Sequence, residues 1–238
     1  MIKITLPLVF LLLPFSYLFA QMAENEVTIV GQMKNVMWKG DLFGTIQLDT
    51  LSKKKGLYGF GPMEYLRGEL LILDGITYKS TVIDQNNMLV EEVNQVKAPF
   101  FSYANIEKWE EWALPNEITD LVALEKYLFA MKDKYNPPFL FKLKGKVENA
   151  LFHIVNLPEG AVVRSPNEAH VGKTNYEIKQ QEVMLVGFFS TEHKTIFTHH
   201  DTFLHIHLIT EDKTKMGHLD EIKIAKGSAI LFLPVLKE

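Results

Sequence analysis

The chain has 238 residues, 47% hydrophobic and 23% charged, with a formal net charge of −4 and no cysteine. That is ordinary globular composition, long enough for one large domain or two small ones around an ample core. The negative balance argues against a nucleic-acid partner held through phosphates, and without thiolates any metal must be held by His, Asp or Glu.

Residues 1–20 differ in kind from the rest. Lys3 is their only charge, and Ile4 to Phe19 is almost wholly apolar. Ala20 then precedes Gln21 and an acidic start. This is the pattern of a secretory signal peptide cleaved after Ala20, leaving 21–238 as an exported protein, periplasmic or secreted. The alternative is an uncleaved anchor. The run is short for a span of about 20 residues, and Pro7 and Pro14 interrupt it. No second run is long enough to span a bilayer, so no stable membrane anchor is expected.

Val27 to Lys39 carries apolar residues at loose helical spacing. Short elements follow at 41–44 and 48–51. The glycine-punctuated run Gly56 to Gly61 is too loose for a helix. It lacks the Lys-Ser/Thr ending of a phosphate loop. Glu69 to Leu73 reads as a strand, Asp74-Gly75 as a hairpin turn, and Ile76 to Val82 as the return. Met88 to Val96 is a further strand. Glu69 heads an apolar strand. It is either a solvent-exposed strand end or a metal-ligating or acid–base carboxylate. Residues 99–118 read as loop and short helix, with Trp109 and Trp112 packing.

Thr119 to Lys134 is the clearest helix, with Thr119 as N-cap and Leu121, Leu124, Leu128 and Met131 as its core stripe. Asn136-Pro-Pro138 ends it. Phe139 to Lys146 begins a strand whose hairpin partner is expected at Ala150 to Leu157. Residues 164–181 read as loop. Val183 to Phe189 and Ala229 to Leu233 read as strands.

His193 to His218 holds six of the eight histidines. Phe203 to Ile209 alternates as a strand, so His205 and His207 share one face and Leu204, Ile206 and Leu208 the other. A polar turn at 210–215 leads into a return strand from about Gly217 to Ile224. His218 can then stand across from His207, with Cβ atoms roughly 5 Å apart. A lone strand histidine is ordinarily a satisfied polar residue. Three converging from two strands suit a zinc-type divalent ion instead.

Several of these elements, in the same order, resemble bacterial α-acetolactate decarboxylase. Gly68-Glu-Leu-Leu-Ile-Leu-Asp-Gly75 with Tyr78 is similar to that family's GEL-x-x-LDG-x-x-Y element. Ile118-Thr-Asp-Leu121 with Leu124 is similar to its helix start. Val186-Gly-Phe188, Phe203-Leu-His-Ile-His-Leu208 and Gly217-His-Leu resemble its GF…HLHF…GGH block. The similarity runs over about residues 28–235.

The resemblance implies an α/β fold of the α+β type, with two subdomains built on mixed or antiparallel sheets and a few helices. They would cover about 27–135 and, carrying the metal, about 136–238. It implies zinc or a similar divalent metal on His205, His207, His218 and Glu69, a small-molecule substrate, and a homodimer, since members are often dimeric. The implied reaction is decarboxylation of 2-acetolactate to acetoin, the metal acting as Lewis acid on the hydroxy-keto group.

The departures fall on the acid–base groups. The family's VRTR-x-VP strand, whose second arginine is catalytic, aligns with Phe152-His-Ile-Val-Asn-Leu-Pro158. His153 and Val155 thus stand where arginines are expected. His153 is the candidate proton donor and Glu69 a further catalytic candidate. Arg67, Lys142, Lys144 and Arg164 are cations available to orient a carboxylate, Arg67 and Lys142 foremost. Glu238 is a candidate for a further metal-directed glutamate, and Met216 replaces one glycine of GGH. The rival readings are an exported non-catalytic metal- or ligand-binding homologue, and a metal enzyme acting on another 2-hydroxy or keto acid.

Overall fold

The computed structural model describes residues 25–51 and 54–236. The leader expected at 1–20, and Glu238, lie outside them. Strand β1 (Thr28–Val30) and helix α1 (Met33–Lys39) divide the segment whose spacing suggested a helix alone. A short strand β2 (Ile46–Gln47) precedes β3 (Leu57–Pro62), which is buried along its whole length. The glycine-punctuated run is therefore a strand pressed between two layers.

β4 (Glu69–Leu73) and β5 (Ile76–Val82) form the expected hairpin. Asp74 and Gly75 both have positive φ, 50° and 84°, the turn geometry that matches strand twist and that Asp-Gly favours. β6 (Met88–Glu92), β7 (Lys97–Ala98), β8 (Phe101–Asn105) and β9 (Trp109–Ala113) follow. The last two replace the loop and short helix expected at 99–118. β8 is buried on both faces, so its residues show no alternation to read. The first sheet is antiparallel with strand order β1-β8-β3-β4-β5-β6.

Helices α2 (Leu121–Ala130) and α3 (Lys132–Tyr135) occupy the clearest helical segment. Asp120, rather than Thr119, is the N-cap, its carboxylate accepting the Ala123 N–H at 2.8 Å. Leu124 and Leu128 are fully buried, and Leu121 and Met131 pack beside them.

β10 (Phe139–Ile154) departs furthest from expectation. The two runs taken for a hairpin are one strand of 16 residues. Phe139, Phe141, Leu143 and Val147 face the core in its first part, then Ala150, Phe152 and Ile154. The inward set changes phase between Val147 and Ala150, where the pairing with the last strand shifts register. A bulge of this kind breaks the period of two and mimics a turn. After α4 (Pro166–Ala169), β11 (Thr174–Phe189) pairs with β10 from end to end, so most of 164–181 is strand. β12 (Leu204–Thr210) and β13 (Met216–Pro234) complete the chain, β13 absorbing both the return strand and the strand expected at 229–233.

The second sheet runs β10-β11-β12-β13-β9, and β10 also pairs with β13, closing four strands on themselves. Phe141, Phe152, Leu185, Leu208 and Leu231 share its core with Leu124 and Leu128 of α2. Leu114, Ile118, Leu124, Leu128 and Tyr135 thus pack with the second sheet. Tyr58, Phe60 and Leu71 of the first sheet pack on Leu140, Val186, Phe188 and Ile209 of the second. The architecture is α+β, mostly antiparallel sheet with a few helices. No helix of the described residues is long and apolar enough to cross a membrane.

Candidate active site

Strand parity aims the site. Leu204, Ile206 and Leu208 of β12 fill the core of the closed sheet, so His205, His207 and Ile209 point the other way. Ile209 joins the layer between the sheets. In β4, Leu70 and Ile72 face an outer core and Leu71 the layer between the sheets, so Glu69 shares the face of Leu71. Glu69 and the two histidines thus meet from opposite sheets. Glu69 Oε2 lies 3.7 Å from His207 Nε2, and Oε1 accepts the Val155 N–H at 3.2 Å. Only 3% of Glu69 is exposed, so it is no solvated strand end.

Register supplies the rest. His207 pairs with His218, which pairs on its other side with His153. Three histidines therefore stand in a row across β12, β13 and β10. Gly217 makes the close approach of β10 and β13 feasible, since a Cβ there would lie 2.4 Å from the His153 carbonyl oxygen. Met216 fills the layer between the sheets. The ring centres of His205, His207 and His218 are 5.4, 5.0 and 5.7 Å apart. Imidazoles bound at about 2.1 Å in a tetrahedral set have centres about 5 Å apart. Phe60 stacks on His207 at 4.4 Å. A cavity of about 30 Å³ lies among these rings, Glu69 and the apolar side chains of Met33, Met37, Leu66 and Phe100.

Burial dominates the electrostatics here. It drives His205 and His207 well below the ordinary imidazole range, with neighbouring histidines adding to the effect. It also brings His218 down to about 3, against the pull of Asp220. Neutral imidazole is the metal-binding form. Burial pushes the Glu69 carboxyl up to about 8, opposed by the Val155 N–H and helped by Asp220. The Nδ1 atoms of all three histidines are buried with no hydrogen-bond partner in the protein. For His218, Asp220 Oδ1 is near at 3.5 Å, beyond ordinary hydrogen-bond length. Neutral rings and a carboxyl lacking a counter-charge fit a divalent cation among them.

A second group borders the first. Both carboxylate oxygens of Asp220 lie 2.8–2.9 Å from His153 Nδ1. Burial alone would raise the Asp220 carboxyl, but the hydrogen bond from His153 and the adjacent His218 ring hold it well below the usual carboxylate range. One donor atom from each of His153, His218 and Asp220 lies within 4.8 Å of the others, a His-His-Asp set able to hold a metal. His218 is common to both groups.

The other expected residues lie elsewhere. Arg67 faces Glu159 at 3.5 Å in a surface groove beside Tyr65 and Leu157. Lys142 is on the inter-sheet face but away from the histidines. Its Nζ is 3.2 Å from the Tyr58 hydroxyl and 4.0 Å above the Trp109 ring, and burial lowers its pKa to about 8. Neither residue lines the histidine cavity, because β3 and β9 hold Lys142 at the opposite end of the layer. Lys144 pairs with Glu211 on the surface, and Arg164 is exposed. His153 and Val155 do line the cavity, as do His170 and His199. Sequence reasoning gave Asp220, His170 and His199 no role. For Asp220 the signal was present, since a residue two beyond His218 on a strand shares its face.

The model of the alpha-acetolactate decarboxylase family matches residues 30–232. The alpha-acetolactate decarboxylase of Brevibacillus brevis is 27% identical over 200 residues, 84% of this chain and 67% of that one. Its counterpart from Methanosarcina mazei is 25% identical over 179 residues, 75% of this chain and 60% of that one. The chain thus spans roughly two thirds of the length of the relatives it matches. The crystal structure of alpha-acetolactate decarboxylase from Bacillus subtilis superposes with a TM-score of 0.71 at 18% identity, over 88% of this chain and 86% of that one, a likeness of fold. With the family model matching most of the sequence, the chain belongs to the alpha-acetolactate decarboxylase family.

Proposed function

We propose that the protein decarboxylates 2-acetolactate to acetoin and CO2 with a divalent metal, zinc by its donor set, on His205, His207, His218 and Glu69. The observation that carries this reading is the buried, neutral three-histidine group with a carboxyl facing it from the other sheet. Bound there, the metal supplies a Lewis acid toward the hydroxyl and carbonyl oxygens of the substrate.

The remaining chemistry belongs to side chains of this protein. Loss of CO2 leaves an electron pair on the substrate carbon, and one proton must be delivered to it. His153 lines the cavity and stands beside His218. With Asp220 accepting at Nδ1, the ring is held in orientation and Nε2 is turned to the cavity as the proton-carrying atom. The proton passes from Nε2 to carbon, and the electrons of the broken C–C bond end in the new C–H bond. Solvent then reprotonates His153. Met33, Met37, Leu66 and Phe100 exclude water from the reacting face. Val155 extends that wall, and its backbone N–H fixes Glu69.

A second reading places the metal on His153, His218 and Asp220, supported by their donor separations. One set of variants separates the two. Zinc-loaded protein should form acetoin from acetolactate, and chelator-treated protein should not. His153→Gln should keep its zinc and lose about 10²–10⁴-fold in kcat, the usual worth of a general acid. Loss of zinc from His153→Gln would favour the second reading. Absence of acetoin from folded, zinc-loaded protein would move the assignment to a non-catalytic binding homologue.

A further inference from the structure

Between β11 and β12 the loop of residues 190–203 is tied down at two points. Its Thr195 and Ile196 carbonyls accept the Lys34 and Met33 N–H groups at 2.9 and 2.7 Å, satisfying orphan donors at the start of α1. At its far end, Glu125 of α2 accepts the Phe203 N–H at 2.8 Å and the Thr202 hydroxyl. Phe197 and Thr198 are buried between these anchors. The loop thus holds one half-buried side chain, His199, over the histidine row.

His199 Nε2 lies 3.0 Å from His218 Nε2. Two nitrogens bound to one ion at about 2.1 Å are about 3.0–3.4 Å apart, depending on the angle between them. With Asp220 near its Nδ1, His218 presents Nε2 as its lone-pair nitrogen. That same lone pair faces His199. The His199 ring centre is 4.9 Å from that of His218 and 6.0 Å from that of His205. His199 lines the small cavity among the histidines and also the larger pocket beside α2.

From this geometry we infer that His199 is a further nitrogen ligand of the metal, on the solvent side of the set formed by His205, His207, His218 and Glu69. The inference rests on the proposed metal site. In metal-free protein one ring's Nε2–H hydrogen-bonds the other ring's Nε2. The donor ring would face an ion in its Nδ1–H tautomer, which would leave both Nε2 lone pairs to hold the metal.

X-ray absorption spectroscopy of the zinc-loaded protein tests this by counting imidazoles. Wild type should show four and His199→Ala three. Chelator competition should show weaker zinc retention in the variant, by at least the 10–100-fold that loss of an outer-shell partner costs. Added imidazole should restore the four-imidazole signature to His199→Gly, an effect that a folding defect would not produce. Three imidazoles in both wild type and His199→Ala, with equal zinc retention, would overturn this inference and leave the metal site standing. No zinc bound by either protein would overturn both.

Discussion

Two groups of ionisable side chains meet at His218, and the fold treats them in opposite ways. On the inter-sheet side, Glu69, His205 and His207 are taken out of water and pushed to their neutral forms. On the other side, His153 and Asp220 answer one another at 2.8 Å, and Asp220, with a side chain 34% exposed, is held ionised. The inner group has donors and no charge of its own, which is what the proposed cation would complete. The outer group is paired within the protein. In the proposed mechanism, metal binding and proton delivery therefore fall to neighbouring groups joined at one histidine.

His207→Ala should have the largest effect on this division. It removes the ring that stacks on Phe60 and faces Glu69, leaving a buried carboxyl opposite a gap. Most bound zinc should be lost, which elemental analysis of the purified variant measures. Equal zinc in wild type and variant would mean that the ion does not sit in the inner group. Zinc should also raise the melting temperature of wild type far more than that of the variant, because it binds the folded state.

Asp220→Asn comes next and should act first on the outer group, where Asp220 makes its hydrogen bonds. The variant keeps the shape but loses the charge that orients His153. kcat should fall about 10²-fold or more, with KM little changed and most zinc retained. Asp220→Glu should recover much of the loss. An Asp220→Asn protein that loses its zinc as completely as His207→Ala would merge the two groups into one.

The inner group was largely legible in the sequence, because each of its parts is local. Alternation in β12 put His205 and His207 on one face, a short polar turn put His218 opposite His207, and Asp-Gly fixed the β4–β5 hairpin that begins at Glu69. The outer group was less so. His153 came forward only through its alignment with a family arginine, and its partner Asp220 depends on pairing between β10 and β13, more than 60 residues apart in sequence. The bulged middle of β10 hid that pairing by shifting the apolar phase. Lys142 and Arg67 offered charge without position: the direction of β10 carries Lys142 to Trp109, and Arg67, just before β4, turns to Glu159. His199 lies in a loop without period, where only the anchors on α1 and α2 fix its position.

The smallest expected effect is on stability, and it isolates Glu69. Its folded pKa is raised from 4.5 to about 8 by burial. In the metal-free protein the folded state therefore holds a proton that the unfolded state has released between those values. Stability then falls as pH rises through that window, by up to about 1.4 kcal/mol per pH unit. The inner histidines act in the opposite sense, but only below their unfolded pKa of about 6.5, where the unfolded chain binds protons that the folded rings refuse. Between about pH 6.5 and 8 the carboxyl acts without them. Denaturant titrations of metal-free protein across this interval should show wild type weakening with rising pH, and Glu69→Gln should be flatter, since a neutral amide keeps the shape and has no proton to lose. Zinc should flatten wild type as well by supplying the missing counter-charge, without altering Glu69→Gln to the same degree. Parallel slopes for metal-free wild type and Glu69→Gln would show that Glu69 is already ionised in the fold and matched by a charge the inner group was taken to lack.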